Sequence, residues 1–241
     1  MQQHTFFASC PRGLESFLAS EIKTLGGITI KLSGGGVGFS GPWDLIPTIN
    51  FESRLASRVL WKITEGFYRN EKDIYKLAQS VRWCDYFDAR HSLLVKVESR
   101  HSPLKSIDFA TLLIKDGICD RFRQDTHIRP DIIKDNPDVR VHAFLDKNQA
   151  ILYLDTSGQP LFHRRIKPYS GEAPLRENLA AGLLAISGWT ERTSLYDPMC
   201  GSGTILIEAM MQALNIPPGF QRHFAFEHLH AFEATHWQKK R

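Results

Sequence analysis

The chain has 241 residues, 42% of them hydrophobic and 23% charged, with a formal net charge of +4 at pH 7. This is an ordinary balance for a soluble globular protein, with length for two compact domains or a little more. No apolar run approaches the ~20 residues of a membrane-spanning helix, and Met1-Gln2-Gln3-His4 lacks the basic start and apolar core of a signal peptide.

The four cysteines, Cys10, Cys84, Cys119 and Cys200, are far apart and form no C-x-x-C. Neither a zinc site nor a disulfide framework is indicated; no metal is expected, and a reducing cytoplasm fits. The positive surplus is compatible with a polyanionic partner without establishing one.

In chain order, His4 to Ser9 reads as a short strand, and Leu14, Phe17, Leu18, Ile22 and Leu25 fall at helical spacing before Gly26-Gly27 stops the run. Ile28 to Leu32 and Val37 to Ser40 pair around Ser33-Gly34-Gly35-Gly36; a strand follows these glycines, so a phosphate-binding loop is rejected there. Pro42 and Trp43 open a helix to about Asn50, and Arg54 to Thr64 returns as a strand. The order β-α-β-β-α-β is the ferredoxin-like pattern.

Asp73 is expected to cap a helix from Ile74 to about Val81. Trp83, Tyr86 and Phe87 read as core. Leu93, Val95 and Val97 alternate as a strand, Ile107 to Phe122 is a long amphipathic helix, and Gln124 to Pro137 is polar and contains prolines. Val139 to Leu145 and Ala150 to Asp155 form a hairpin across Asp146-Lys147-Asn148-Gln149.

After Asp155 the character changes. Ser157-Gly158 turns the chain, and His163-Arg164-Arg165-Ile166-Lys167 is a basic run. A helix is expected from Gly171 to Gly188, with Pro174 near its first turn and Gly188 as its stop. Thr193 to Tyr196 reads as a strand ended by Asp197-Pro198. The glycine turn Met199-Cys200-Gly201-Ser202-Gly203 leads into a helix carrying Ile205, Ile207, Met210, Met211 and Leu214. A turn at the carboxyl end of a strand is where open α/β sheets bind nucleotide-like ligands. Thr204 stands where a phosphate loop needs Lys, and Leu206 where a dinucleotide fingerprint needs a small residue, so neither reading suits. The last stretch, Phe224 to Arg241, reads as helical and ends in Lys239-Lys240-Arg241.

The run Asp197-Pro198-Met199-Cys200-Gly201-Ser202-Gly203-Thr204 resembles the first motif of S-adenosylmethionine-dependent RNA methyltransferases. The resemblance implies that these eight residues bind the cofactor. The loop backbone and helix N-terminus would face its methionine portion, whose carboxylate suits the positive end of the helix. Residues from about Asp44 to Asp155 resemble a THUMP domain, an RNA-binding module of RNA-modifying enzymes. Ala8-Ser9-Cys10-Pro11-Arg12-Gly13-Leu14-Glu15 and Ser53-Arg54-Leu55-Ala56-Ser57-Arg58, taken with 197–204, resemble the bacterial 23S ribosomal RNA methyltransferases that make N2-methylguanine. Cys10 and Pro11 replace smaller or more polar residues often seen in that family. In that family the segment matching Ala173 to Glu177 helps close the cofactor site.

The expected fold is therefore an α+β ferredoxin-like part and a THUMP domain, followed by the beginning of an α/β Rossmann-like methyltransferase domain. The boundaries are 1–43, 44–156 and 157–241, with the last ferredoxin-like strand extending to about 65. Arg54 and Arg58, four apart, and Arg164, Arg165 and Lys167 of the basic run are expected to contact phosphates of ribosomal RNA. Two parts of the resembling family are not found: an acidic partner for the cofactor ribose, and the Asn/Asp-Pro-Pro-aromatic motif that orients the target amine. Asn215-Ile216-Pro217-Pro218-Gly219 lacks the aromatic and the Asn-Pro adjacency, and reads as a helix stop. No catalytic residue is assigned, and the chain is expected to be the N-terminal portion of a longer enzyme, inactive alone. The alternatives are a stand-alone THUMP RNA-binding module without activity and, less suited, a nucleotide-dependent oxidoreductase.

Overall fold

The structure is a computed structural model that describes residues 3–166 and 175–238. The chain folds as two compact units. The first comprises Met1–Val59, Gln159–Phe224 and Trp237–Arg241; the second comprises Leu60–Gly158 and Ala225–His236.

The first unit begins with β1 (His4–Ser9), α1 (Glu15–Thr24), β2 (Ile28–Ser33), β3 (Gly36–Gly41) and α2 (Leu45–Glu52). Strand β3 lies between β2 and β1, antiparallel to both, with Phe6 opposite Phe39. Their rings stack at 5.4 Å, and with Ala8, Leu18, Ile22, Val37, Ile46 and Ile49 they form a fully buried core. Residues 54–57 leave the expected strand as an irregular segment, because their polar groups are taken by side chains from elsewhere in the unit. Glu21 accepts from the N–H groups of Arg54 and Leu55, and Asn178 donates to the Leu55 carbonyl. The strand therefore starts later, as β4 (Arg58–Phe67).

The second unit contains α3 (Glu71–Ser80), a short 3-10 turn (Trp83–Asp85), β5 (Leu93–Arg100), α4 (Ile107–Thr126), β6 (Val139–Asp146) and β7 (Gln149–Asp155). Its strands run β4-β7-β6-β5. Strands β5 and β6 are parallel, in register from Leu93 opposite Val139, as the long α4 crossover requires; β6 and β7 form the hairpin. Helix α3 is capped by Asn70, not by the expected Asp73, and so starts at Glu71. The Asn70 side chain accepts from the N–H groups of Lys72 and Asp73, while Asp73 reaches back to the Asn70 N–H, so Asp73 is the second half of a capping box. Gly117 lets α4 pass close to α3, since a Cβ there would lie 2.7 Å from the Tyr75 carbonyl oxygen. Trp83 and Phe87 are core residues, and the Trp83 indole donates to the Ala78 carbonyl at 2.7 Å. Helix α4 runs four residues past the expected Phe122 and ends at His127, whose φ of 61° closes it.

Beyond Gln159 come α5 (Glu177–Ser187), stopped by Gly188 in the left-handed conformation, and α6 (Thr204–Ala213), both in the first unit. The expected start of α5 at 171–174 lies outside the described residues. The C-terminal stretch is not one helix: a 3-10 turn covers Ala225–His228 and a five-residue helix, α7, covers Ala234–Gln238. Residues 239–241 are outside the described residues. No described helix is long and apolar enough to cross a membrane, and no described cluster of three His, Cys, Asp or Glu residues could hold a metal.

Candidate functional site

The glycine turn is built as a cradle at the start of α6. No strand forms over Thr193–Tyr196; the backbone is irregular from Trp189 to the turn. A strand persists through a ladder partner, and none of the described strands pairs with this segment. Asp197 Oδ1 accepts from the Met199 N–H at 3.1 Å, and the Gly203 N–H donates to the Cys200 carbonyl at 2.8 Å, closing the loop. Gly201 has φ 55° and Gly203 has φ 73°, left-handed angles that favour glycine. Gly203 is the N-cap of α6 and brings no capping side chain, and the first turn carries no acidic residue.

Among the described residues, a Cβ on Gly201 would meet nothing within 4 Å, and one on Gly203 only Ile207 Cδ1 at 4.0 Å. Space therefore lies over the very backbone whose N–H groups carry the positive end of the helix. Tyr196 and Met199 stand out at 86% and 90% exposure, whereas Thr204 is buried. The open, uncapped, acid-free backbone fits a carboxylate-bearing ligand such as the methionine end of S-adenosylmethionine.

Beneath the cradle lies a buried ionic network that the sequence reading did not foresee. Glu208, one turn into α6, is 1% exposed, and its Oε1 lies 3.3 Å from Arg164 Nε, with Arg164 2% exposed. Arg164 also donates through Nη1 to the Leu161 carbonyl and through Nη2 to the Arg54 carbonyl. Burial pushes the Glu208 carboxyl above its ordinary range, against the pull of Arg164 and Arg54. Arg54 Nη2 donates to the carbonyls of Met211 at 3.3 Å and Ile216 at 2.9 Å, at the far end of α6. Burial lowers the Arg54 pKa, opposed by Glu208. Glu21 of α1 accepts from Ser53 Oγ at 2.6 Å and from the Arg54 N–H at 2.7 Å; burial raises its pKa in spite of these donors. The signal that could have found Glu208 is its isolation: it is the one charge in the apolar run Ile205 to Met211.

The five cations expected to touch RNA therefore divide. Arg164 is enclosed and paired, so its guanidinium is not presented to a phosphate; the basic run is not one solvated face. Arg54 is half-buried and lines a cleft of about 420 Å³ with Glu21, Thr24, Leu25, Glu52, Asn215 and Pro217. Two carboxylates share that cleft, an unsuitable balance for a polyanion. Arg58 is half-buried and Arg165 is exposed. Lys167 lies outside the described residues. The segment ahead of Arg164 is held by a second buried arginine. Arg222 donates to the carbonyls of Gln159 at 2.6 Å, Pro160 at 2.7 Å and His163 at 2.6 Å.

Comparison with known proteins follows the same order along the chain. Family models match an RlmL ferredoxin-like domain over residues 5–60, a THUMP domain over 68–155 and an RMKL-like methyltransferase domain over 164–241. The chain is 38% identical to a ribosomal RNA large subunit methyltransferase K/L of Desulfotalea psychrophila, over 98% of this chain and 34% of that protein. Among solved structures, a Listeria monocytogenes protein described as a predicted N6-adenine-specific DNA methylase superposes with a TM-score of 0.88 at 28% identity, over 99% of this chain and 63% of that one. SMU.472, a methyltransferase solved in complex with SAH, gives 0.87 at 28% identity with the same coverage. The chain thus spans about a third of the length of the curated relative and less than two thirds of the solved chains. Fold and matches together define a ferredoxin-like part and a THUMP domain that precede a segment matched by a methyltransferase domain, with the glycine cradle inside that segment. More narrowly, the chain is similar over nearly its whole length to the RlmL-like THUMP methyltransferases, whose domain models it matches in order.

Proposed function

We propose that this chain carries the RNA grip and one wall of the cofactor site of an S-adenosylmethionine-dependent methyltransferase acting on N2 of a guanine in 23S ribosomal RNA. One observation carries the reading: the Asp197–Gly203 cradle, with left-handed glycines and an uncapped helix start, lies within the stretch matched by the methyltransferase domain. When bound, the cofactor supplies an electrophilic methyl group on a sulfonium. The chain's own part is to hold and orient. The N–H groups at the start of α6 bind the methionine carboxylate, the glycines allow the backbone to approach it, and Asp197 fixes the loop through its bond to the Met199 N–H.

The THUMP domain grips RNA, and Arg58, Arg165 and Lys167 contact phosphates. The target base must leave its stack to reach a methyl donor, so RNA positioning is a large part of catalysis. Nothing in residues 1–241 matches the ribose-binding acid or the amine-orienting motif of the resembling family, so this chain alone binds RNA without methylating it. The cytoplasm is the compartment this reading implies.

The experiment is radiolabelled methyl transfer to ribosomal RNA from cells lacking the modification, run beside filter binding. Digestion of the product to nucleosides separates N2-methylguanine from N6-methyladenine, the base named for the Listeria relative. Expected are RNA retention by this chain, no turnover from it, and N2-methylguanine from the intact protein. Turnover by residues 1–241 alone would refute the missing-parts argument, and methyladenine would refute the substrate assignment.

A further inference from the structure

We infer that Arg164, Arg54 and Glu208 are positioning residues for the cofactor loop: a buried bracket that sets where the first N–H groups of α6 point. The inference rests on the reading of residues 197–204 as that loop.

Glu208 follows Thr204 by four residues, so the two lie on one face of α6, about 6 Å apart along its axis; both are buried. A helix is stiff over that distance, so whatever fixes Glu208 fixes the helix start. Arg164 holds Glu208, and its two remaining guanidinium nitrogens are tied to the carbonyls of Leu161 and Arg54. Arg54 takes the other end of α6 by the carbonyls of Met211 and Ile216. The Arg54 main chain is tied in turn to Glu21 of α1, which also holds Ser53. The helix is thus pinned at its middle and at its end by two arginines that are bonded to each other.

Stability alone does not account for this choice. A buried ion pair is often matched or bettered by apolar side chains of similar volume. What apolar packing does not provide is direction. The guanidinium is planar, stays charged, and places five donors in a fixed fork. Ligand orientation is sensitive to displacements of about 1 Å, which can cost on the order of a hundredfold in rate.

The test uses the intact protein and two variants. Glu208→Gln keeps an acceptor for Arg164 Nε, and Arg164→Met/Glu208→Leu replaces the pair with apolar bulk. Readouts are melting temperature, RNA affinity, S-adenosylhomocysteine affinity by calorimetry, and KM and kcat for S-adenosylmethionine. Expected for the double variant are a retained fold, with melting lowered by the two carbonyls that lose their Arg164 donors, and parental RNA binding well below that melting temperature, with cofactor KM raised at least about tenfold and a smaller change in kcat. Glu208→Gln should stay within about threefold of the parent in cofactor affinity, since the directional bond survives. A double variant with parental cofactor affinity would reduce the bracket to packing, and an equal loss in Glu208→Gln would make charge, not geometry, the cause; either overturns the inference. A parent protein that binds no S-adenosylhomocysteine would instead refute the cofactor-loop reading itself.

Discussion

Arg164 and Arg165 are neighbours of the same type, and their variants should behave as opposites. Arg164→Ala leaves Glu208 ionisable, 1% exposed and without its closest cation, and removes donors from the Leu161 and Arg54 carbonyls. Breaking a buried pair from one side typically costs about 3–5 kcal/mol. Part of this is relieved because burial already favours the protonated form of Glu208, so the lower figure of about 3 kcal/mol is the better expectation. For a domain of this size that corresponds to a fall of roughly 6–12 °C in Tm. Arg165 is exposed, and Arg165→Ala should change stability by no more than about 0.5 kcal/mol.

The salt dependence of RNA binding should divide the other way. Arg165→Ala lowers the slope of log affinity against log salt by roughly 0.7, while Arg164→Ala, measured well below its melting temperature, leaves the slope at the parental value. Scanning calorimetry and a filter-binding salt titration on the same preparations decide it. An Arg164→Ala protein that melts with the parent would refute the buried-pair argument, and a reduced slope would return that residue to the RNA surface.

Two further outcomes are expected. Gly203→Ala meets no steric obstacle among the described residues but forces a Cβ into a left-handed angle at about 1–2 kcal/mol. S-adenosylhomocysteine affinity in the intact protein should therefore fall roughly five- to thirtyfold with the fold retained, as read by calorimetry and circular dichroism. In the second unit, burial opposes ionisation of Asp138, yet the Ser92 N–H at 2.8 Å and hydroxyl at 2.7 Å, with His228 and His91 nearby, hold its carboxyl below the ordinary aspartate value. Its contribution is fully present above that ordinary value, near pH 4, and is lost as pH falls through the lowered one. Urea midpoints measured from about pH 6 down to pH 2 should fall less steeply for Asp138→Asn than for the parent; parallel curves would refute the linkage.

Local elements were legible where one face repeats. The period-two and helical patterns locate β1, α1, β6 and β7 within a residue or two, because each buries one side against a neighbour. What was not legible depends on partners distant in sequence. Residues 193–196 have strand-forming side chains and no described ladder to join. The 54–57 segment is drawn out of its strand by Glu21, 33 residues earlier in the case of Arg54, and by Asn178, 123 residues later in the case of Leu55. Arg164 and Arg165 are indistinguishable by type, and only the fold assigns one to the interior and the other to solvent. The glycine turn of residues 197–203 was visible as a motif, but the buried network beneath it joins residues 21, 54, 164 and 208, a set that no local window contains.

The clamp made by Arg222 bears on how this protein can be cut and rejoined. A polar connection with a turn at its start would ordinarily be chosen as a place to nick, lengthen or splice a polypeptide. Here three carbonyls, from Gln159, Pro160 and His163, converge on one buried guanidinium. One inserted residue would carry at least one of them out of reach. The connection should therefore resist proteases in the native state and reject insertions, and anyone separating the THUMP domain from the segment matched by the methyltransferase domain would do better to keep residues 159–163 and Arg222 in the same piece.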